Sequence, residues 1–539
     1  MKRRYRRFLP VLATAIAVVA MLTACQNEEV EKPDSTLSPE ALKTAEYPLE
    51  TDEVLKLWMR HHVGAQVAGQ PDYGKYPRMA EMEQKTGVSL SISYANNGQE
   101  EEEFNLLLAS EELPDMIYYD WLHIPGGVDE AIRGGYITAL NDLIAEYAPN
   151  YGAFLEEQPE YAKMARTDSG NYYMFNSYPV TKLSEEEDRK RSASSGFFIR
   201  KDWLDALRLE PPETISEWHT VLKAFKEKGV ASPLTLNLSD EYALQGLIGA
   251  FGIGSGFYQE NGRVIYGREQ PEYRDFLSEM QKWYQEGILD EDILTINDER
   301  VHTKMRDGAC GIAFGWIGAN MERWIKEGKE LDPNYEVIGL KPPTIQRGET
   351  SKFGNYYSPF SHIGVAVSAS SDKKELAAKF LDYGYTGQGA LLYNYGIEGV
   401  SYEMIEGKPE YKLPPDGMTR SDFLTFYTMS TGNWPYKDLT MDNSFFYSLP
   451  QQDQAVKAFC ATEYADYLMP PISQTSEEAE EASRLELLIS NYADEMMKKF
   501  ILGREPLENF DLYIANLKEM GIDRLVELKQ VALARYNRR

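Results

Sequence analysis

The chain has 539 residues, enough for roughly two to four domains, each with its own core. A formal charge of −29 excludes a nucleic-acid binder and argues against docking of the folded surface on anionic lipid. Three cysteines and six histidines, no two of the latter at H-x-x-x-H spacing, give neither a disulfide scaffold nor a zinc pattern.

The chain opens with a basic cluster (Lys2, Arg3, Arg4, Arg6, Arg7) and an apolar run from Phe8 to Met21 that ends in Leu22-Thr23-Ala24-Cys25. That is a secretory n-region and h-region, too short to span a bilayer comfortably. Leu-Thr-Ala-Cys resembles the lipobox of bacterial lipoproteins, in which cleavage leaves the cysteine first and a diacylglyceryl group on its sulfur. Residues 1–24 then read as a signal peptide. Their loss removes five cations and no acid, and takes the formal charge from −29 to −34. The mature chain begins at lipidated Cys25, on the outer face of the cell membrane. Residues 25–48 lack an apolar period, are rich in Glu, Pro, Ser and Thr, and read as a flexible tether.

From Val54 strands and helices alternate. A strand at Val54 to Met59 precedes a helix at about Gly74 to Thr86, closed by Gly87. A strand at Val88 to Tyr94, a helix at about Glu100 to Ala109 and the apolar strand from Met116 to Tyr119 follow. This succession implies a mainly parallel sheet with helices on both faces, whose ligands sit beyond the carboxyl ends of strands. Asp120 and Trp121 stand at one such end. A helix at about Leu140 to Tyr147 follows. The helix-poor stretch Tyr172 to Val180 suits a crossing between lobes, and Thr181 to Ser195 reads as a charged loop.

Phe197-Phe198-Ile199 opens a second α/β unit. Thr214 and Glu217 form a capping box before the stripe Trp218, Leu222, Phe225. Asn261-Gly262 marks a hairpin turn, and Pro271 opens a helix closed by Gly287. The strand Cys310 to Phe314 ends in Gly315-Trp316. Another strand, Ile363 to Val367, precedes a helix from Asp372 to Tyr383. A second capping box, Thr475 with Glu478, opens a long helix ended by Gly503, and two shorter helices follow. Whether Cys310 and Cys460 pair is left open by their spacing.

Certain stretches carry more than periodicity: Arg200-Lys201-Asp202-Trp203-Leu204 followed by Pro211-Pro212-Glu213-Thr214-Ile215-Ser216-Glu217-Trp218, Leu113-Pro114-Asp115-Met116-Ile117, Asn394-Tyr395-Gly396-Ile397-Glu398-Gly399, and Met520-Gly521-Ile522-Asp523-Arg524. In this order, across the mature chain, they resemble the extracellular solute-binding lipoproteins of bacterial ABC transporters, related to maltodextrin- and oligosaccharide-binding proteins. Asp307-Gly308-Ala309-Cys310-Gly311 departs from the family's pattern, which more often has Lys or Ala after the Gly and no Cys.

The resemblance implies a type II two-lobe clamp. Each lobe would be a mainly parallel sheet flanked by helices, with a helical C-terminal tail. Crossings near Tyr173–Val180, Tyr356–His362 and Tyr385–Leu392 would put residues 49–175 and 360–388 in lobe 1, and 176–359 and 389–539 in lobe 2. It implies a monomeric, non-enzymatic binding component that captures a carbohydrate and hands it to permease subunits, touching the membrane through its lipid only. No cofactor or metal is implied. A tethered carbohydrate-active enzyme, with two carboxyls about 5–10 Å apart, and a ligand-presenting sensor ectodomain are the alternatives. Gly252-Ile253-Gly254-Ser255-Gly256 fits neither G-x-G-x-x-G nor G-x-S-x-G.

Aromatic residues are 12% of the chain, with 36 Tyr, and such rings offer flat apolar faces to a sugar. The expected ligand contacts are Trp121 on one lobe and Trp316 and Trp434 on the other, with Asp120, His61 (or equally its neighbour His62), Glu398 and Tyr356 as polar partners. Trp434 sits in the turn-rich Thr431-Gly432-Asn433-Trp434-Pro435, Glu398 between two glycines, and Tyr356 at a crossing.

Overall fold

The computed structural model describes residues 36–60, 72–96, 98–110, 112–121, 124, 126–179, 194–354, 358, 360–430, 434–439, 445, 447 and 449–539. Two four-stranded sheets organise it, and their strands are numbered here in chain order. The first sheet holds β1 (Val54–Met59), β2 (Ser89–Tyr94), β3 (Met116–Asp120) and β8 (Ile363–Val367), in the order β8-β3-β1-β2. The second holds β4 (Ser195–Arg200), β5 (Ser232–Thr235), β6 (Cys310–Trp316) and β7 (Val337–Gly339), in the order β7-β4-β6-β5.

Helical crossovers make β1 parallel to both β2 and β3, and the returning β8 lies antiparallel on β3. The second sheet departs from the mainly parallel expectation. Its β4 runs antiparallel to both β6 and β7, and only β5–β6 is parallel. Both sheets are therefore mixed, the second predominantly antiparallel.

Local chemistry explains the helix ends. Gly87 takes φ 76° at the C-cap of the helix Pro77–Thr86 and donates to Glu83 O; a Cβ there would stand 2.1 Å from Leu49 O. Thr214 Oγ1 accepts from Glu217 N at 3.2 Å while Glu217 accepts from Thr214 N, the reciprocal cap of the helix Ile215–Glu227. That helix buries Trp218, Leu222 and Phe225. Arg200 lies buried between the rings of Trp203 (4.2 Å) and Tyr335 (3.9 Å), paired with Asp202 at 2.6 Å, which anchors the end of β4.

One core spans the first sheet, and two smaller ones cover the faces of the second. The core assignment corrects the expected lobe boundary. Leu392, Tyr393, Met429, Trp434 and Tyr436 pack in the first core, so the segment from 389 to about 436 stays with the first lobe. The tether shortens as well. Ser38 caps a helix Pro39–Thr44 whose Leu42 is buried, and Tyr47 Oη donates to Lys379 O at 2.6 Å. Residues 36–48 thus belong to the first lobe, because Leu42 and Tyr47 find apolar partners distant in sequence. The C-terminal helices Ser476–Ile501, Phe510–Met520 and Ile522–Tyr536 pack mainly in the second lobe's core. Cys310 and Cys460 are not paired with one another.

Candidate ligand-binding cleft

The carboxyl ends of β1 and β3 form the first wall. Arg60 follows β1 and donates its N–H to Tyr118 O at 3.1 Å. Asp120 closes β3 opposite Ile363 and is half-buried. Strand alternation puts Tyr119 and Trp121 on the face opposite to Asp120. Tyr119 lies flat on Phe104, with centroids 3.6 Å apart and planes 6° apart. Burial, and then the charge of Glu101, push its phenol up to about 12, so it remains a donor at neutral pH.

Trp121 is fully buried. Its Nε1 donates to Gly364 O at 3.2 Å, and its ring stands edge-on to Phe104 and Tyr119. It is a pillar of the core with both ring faces covered, contrary to the stacking role expected from its place after a strand.

The second wall is built at the end of β6. Trp316, opposite Ser195, is half-buried and meets the ring of Tyr242 edge-on at 5.7 Å. Tyr242 is 42% exposed. Two local devices fix this corner. Asn320 Oδ1 accepts from Trp316 N at 2.7 Å, folding the turn Ile317–Met321 back onto the strand. The fold-back needs Gly315, where a Cβ would stand 2.5 Å from the Trp324 ring. Asp240 caps the helix Glu241–Ile248, accepting from Tyr242 N at 2.9 Å and Ala243 N at 3.2 Å, and so aims Tyr242. Burial is the largest influence on the Asp240 carboxyl, and with Asp298 and Glu241 it raises the carboxyl above the ordinary range despite those two donors. The helix Arg420–Tyr427, which packs on Pro77–Thr86 of the first lobe, also touches the turn after Trp316. The two lobes therefore meet beside this corner.

The remaining expected contacts fare differently. Trp434 is 5% exposed, packs in the first core and bonds Tyr393. Its loop position hid partners far away in sequence. Glu398 is exposed and bridges to Tyr402 at the root of the hairpin Tyr402–Ile405/Lys408–Tyr411. The glycine before it admits the protein's own chain and not a ligand: a Cβ on Gly396 would meet Ser401 Oγ at 2.4 Å and Tyr427 O at 2.6 Å. His61, His62, Tyr356 and Cys25 lie outside the described residues. Tyr242 and Tyr119 were missed by sequence reasoning. The readable sign for Tyr242 was an aromatic two residues after a helix-capping Asp. A pocket at the start of β4, lined by Ser195, Gly196, Phe197 and Gly354 among others, offers about 10 Å³, room for one water and no sugar ring. Among the described residues no three His, Cys, Asp or Glu side chains gather as a metal site.

Two α/β lobes that meet beside a half-exposed aromatic corner have the architecture of a two-lobe binding protein for a small solute. The sequence profile of bacterial extracellular solute-binding proteins matches residues 69–390, and the chain belongs to that family. Among relatives, the fructooligosaccharide ABC transporter substrate-binding protein FusA of Streptococcus pneumoniae is 23% identical over 567 residues, covering 99% of each chain. The polygalacturonan/rhamnogalacturonan-binding protein YtcQ of Bacillus subtilis is 25% identical over 338 residues, 61% of this chain and 64% of the relative. Among solved structures, the alginate-binding protein AlgQ2 has a TM-score of 0.75 at 24% identity, over 91% of this chain and 100% of its own. Streptococcus pneumoniae FusA with kestose has a TM-score of 0.73 at 19% identity, over 90% and 100%. These likenesses establish the two-lobe fold.

Proposed function

We propose that this protein is the substrate-binding component of an ABC importer, capturing an oligosaccharide between its lobes and delivering it to permease subunits without chemical change. The observation that carries the reading is the Trp316–Tyr242 corner. It presents aromatic surface at the carboxyl end of β6, on a chain of the solute-binding family. Aromatic faces match the C–H faces of a pyranose or furanose, and the Tyr119 phenol, Asn320 and Asp120 supply hydrogen-bonding groups nearby in each wall. The relatives named for oligosaccharides and pectic polymers support the same class.

Export and a diacylglyceryl anchor on Cys25 follow from the signal and its small-small-Cys end, and a relative carries the name lipoprotein LipO. The protein acts as a monomer on the extracytoplasmic face of the membrane. The anchor has its own test: Cys25→Ser releases the protein to the medium or leaves the signal uncleaved. Processed variant retained in the membrane fraction would show that the sulfur carries no lipid.

A thermal-shift screen of the mature chain against oligosaccharides tests the binding reading, since ligand at 100 times its Kd stabilises by about 2.7 kcal/mol. The hit is then incubated with the protein and the sugar re-chromatographed. Unchanged sugar is expected; shorter products would make this an enzyme.

A further inference from the structure

We infer that three side-chain carboxamides, Asn176, Asn394 and Gln452, bind the chain crossings between the lobes into one joint, which sets the lobes' orientation and carries the Trp316 corner with it. All three are fully buried, so they are positioning residues and touch no solute. The inference rests on the two-lobe binding reading above and names what holds the crossings. The described chain passes between the cores three times: from Phe175 to Phe197, from Leu340 to Phe360 and from Tyr436 to Ala455.

At the first lobe the three crossings are tied side by side. Asn176 opens the first crossing, and its Nδ2 donates to Ser361 O, at the end of the second, at 2.7 Å. Tyr161 donates to Asn176 Oδ1, and Tyr385 donates to Asn176 O at 2.6 Å. The short strand Tyr178–Pro179 of the first crossing pairs in parallel with Lys437–Asp438 of the third. Asn394 adds a rung to this ribbon: its Nδ2 donates to Lys437 O and its Oδ1 accepts from Leu439 N, both at 2.9 Å. Those are the two bonds that a residue of a neighbouring parallel strand makes about its partner, here Asp438. Gly384 lets the third crossing come this close, since a Cβ there would stand 2.3 Å from Pro435 O. Asn394 thus gives a role to the Asn394–Gly399 stretch that the family resemblance picks out.

At the second lobe the same chemistry meets the aromatic corner. Ile317, the residue after Trp316, donates its N–H to Ser194 O at 2.9 Å, where the first crossing arrives. Its own O accepts from Gln452 Nε2 at 3.0 Å, and Gln452 Oε1 accepts from Leu449 N at 2.9 Å, where the third arrives. A carboxamide carries a donor and an acceptor as a peptide unit does, so it can stand in for a strand where no strand runs. Truncating one leaves backbone groups of the crossings without these partners, and a buried donor or acceptor left unmade is costly. The crossings then part from their lobes before either core is disturbed. A solute binds in proportion to the fraction of molecules whose lobes are already poised. These residues therefore tune affinity from outside the cleft.

The experiment reads the distance between spin labels on Leu106→Cys and Leu331→Cys, exposed positions of the first and second lobe, in the mature chain carrying Cys25→Ser and Cys460→Ser. Each carboxamide is replaced by Leu, which nearly keeps its volume, and by Ser, which serves where the Leu protein does not fold. Ser371→Ala is the control: Ser371 is buried in the first lobe, off the crossings, and donates to Asp115 Oδ1 at 2.6 Å. The expected result is a wider distance distribution in the Asn176, Asn394 and Gln452 variants, with wild-type circular dichroism. In chains carrying fluorotryptophan, the Trp316 fluorine resonance, identified by its loss in Trp316→Phe, should shift in the Gln452 variants. The control should leave both readouts at their wild-type values. Wild-type distances in all three sets of variants overturn the inference. So does a control that widens the distribution equally, because general loosening would then be the cause. A Trp316 resonance unmoved by the Gln452 variants overturns the link to the corner. The distances are taken without solute, so they decide this inference whether or not the solute is a saccharide.

Discussion

Three tryptophans stood as equivalent candidates after strands or in loops, and burial separates them. Trp316→Ala removes one half of the exposed corner, so solute affinity should fall at least tenfold while the melting temperature moves little; titration of the folded variant checks this. Trp121→Ala and Trp434→Ala empty filled core sites, where such truncations cost about 3–5 kcal/mol. Denaturation should report that loss before binding does. Retained affinity in Trp316→Ala would remove the corner from the site. Strand periodicity could have separated Trp121, two residues beyond Tyr119 and on the same side as Phe104. No local pattern could have shown Trp434, whose partner Tyr393 is 41 positions away. A buried carboxyl gives a second residue-level test. Asp382 is fully buried, accepts from Tyr151 N at 2.8 Å and Asn150 Nδ2 at 2.6 Å, and is pushed by desolvation from 3.8 up to about 6. The folded state therefore holds this proton more tightly than the unfolded state. The resulting stabilisation is complete below pH 3.8 and is lost as pH rises through about 6. Relative to Asp382→Asn, the wild type should lose on the order of 2–3 kcal/mol between pH 4 and pH 7, read from urea unfolding at the two pH values. A pH-independent difference between the two proteins would show that Asp382 does not titrate as described.

Helix termini were the most legible elements, because capping is local chemistry. The box Thr214/Glu217 is present as a reciprocal pair, and in the box that opens Ser476–Ile501 the Glu478 carboxylate accepts from Thr475 N at 3.1 Å. The Asn261-Gly262 turn has both residues at positive φ, 54° and 76°, the signature of the type I′ hairpin that its sequence announces. Thr214→Ala should cost about 1 kcal/mol, measurable as a lowered denaturation midpoint; an unchanged midpoint would mean water replaces the cap without loss. The strands of the second sheet were less legible. Ser232–Thr235 carries a proline and is buried throughout, so it shows no alternation, and Val337–Gly339 is only three residues long. The direction of β4 against β6 depends on how the chain returns through distant contacts, which periodicity does not encode. The same reason misplaced the segment after 388: its helix and strand pattern fits either lobe, and only the burial of Tyr393 and Tyr436 assigns it.

At the scale of the molecule, the C-terminal helices brace the clamp. The helix Ser476–Ile501 begins against Gly127–Arg133 of the first lobe, and its Leu485, Ile489 and Phe500 lie in the second lobe's core. The helix Ile522–Tyr536 packs Leu525 and Leu528 in that core and carries Arg535 back to the first lobe. There Asp168 accepts from Arg535 Nε at 2.7 Å and from Arg539 Nε at 2.9 Å, and its N–H donates to Ser473 Oγ at 3.1 Å. Arg535 also pairs with Glu478 at 2.5 Å. The loop that presents Asp168 is itself held by the first lobe, since Thr167 and Ser169 donate to Asp129 at 2.7 and 2.9 Å. Asp168 and Arg539 are 9% and 7% exposed at their side chains. Removing one partner of so buried an ion pair typically costs about 3–5 kcal/mol, because the remaining charge loses its compensation. The network joins elements rooted in different lobes, so that cost falls on their mutual orientation rather than on either core. Hinge closure predicts a smaller radius of gyration when a solute bridges the wild-type lobes. Asp168→Asn should widen the solute-free ensemble in small-angle scattering and weaken binding, although it stands outside the cleft. Each lobe should keep its wild-type circular dichroism. An unchanged radius of gyration in the variant, with and without solute, would mean that the lobes are positioned by their crossings alone.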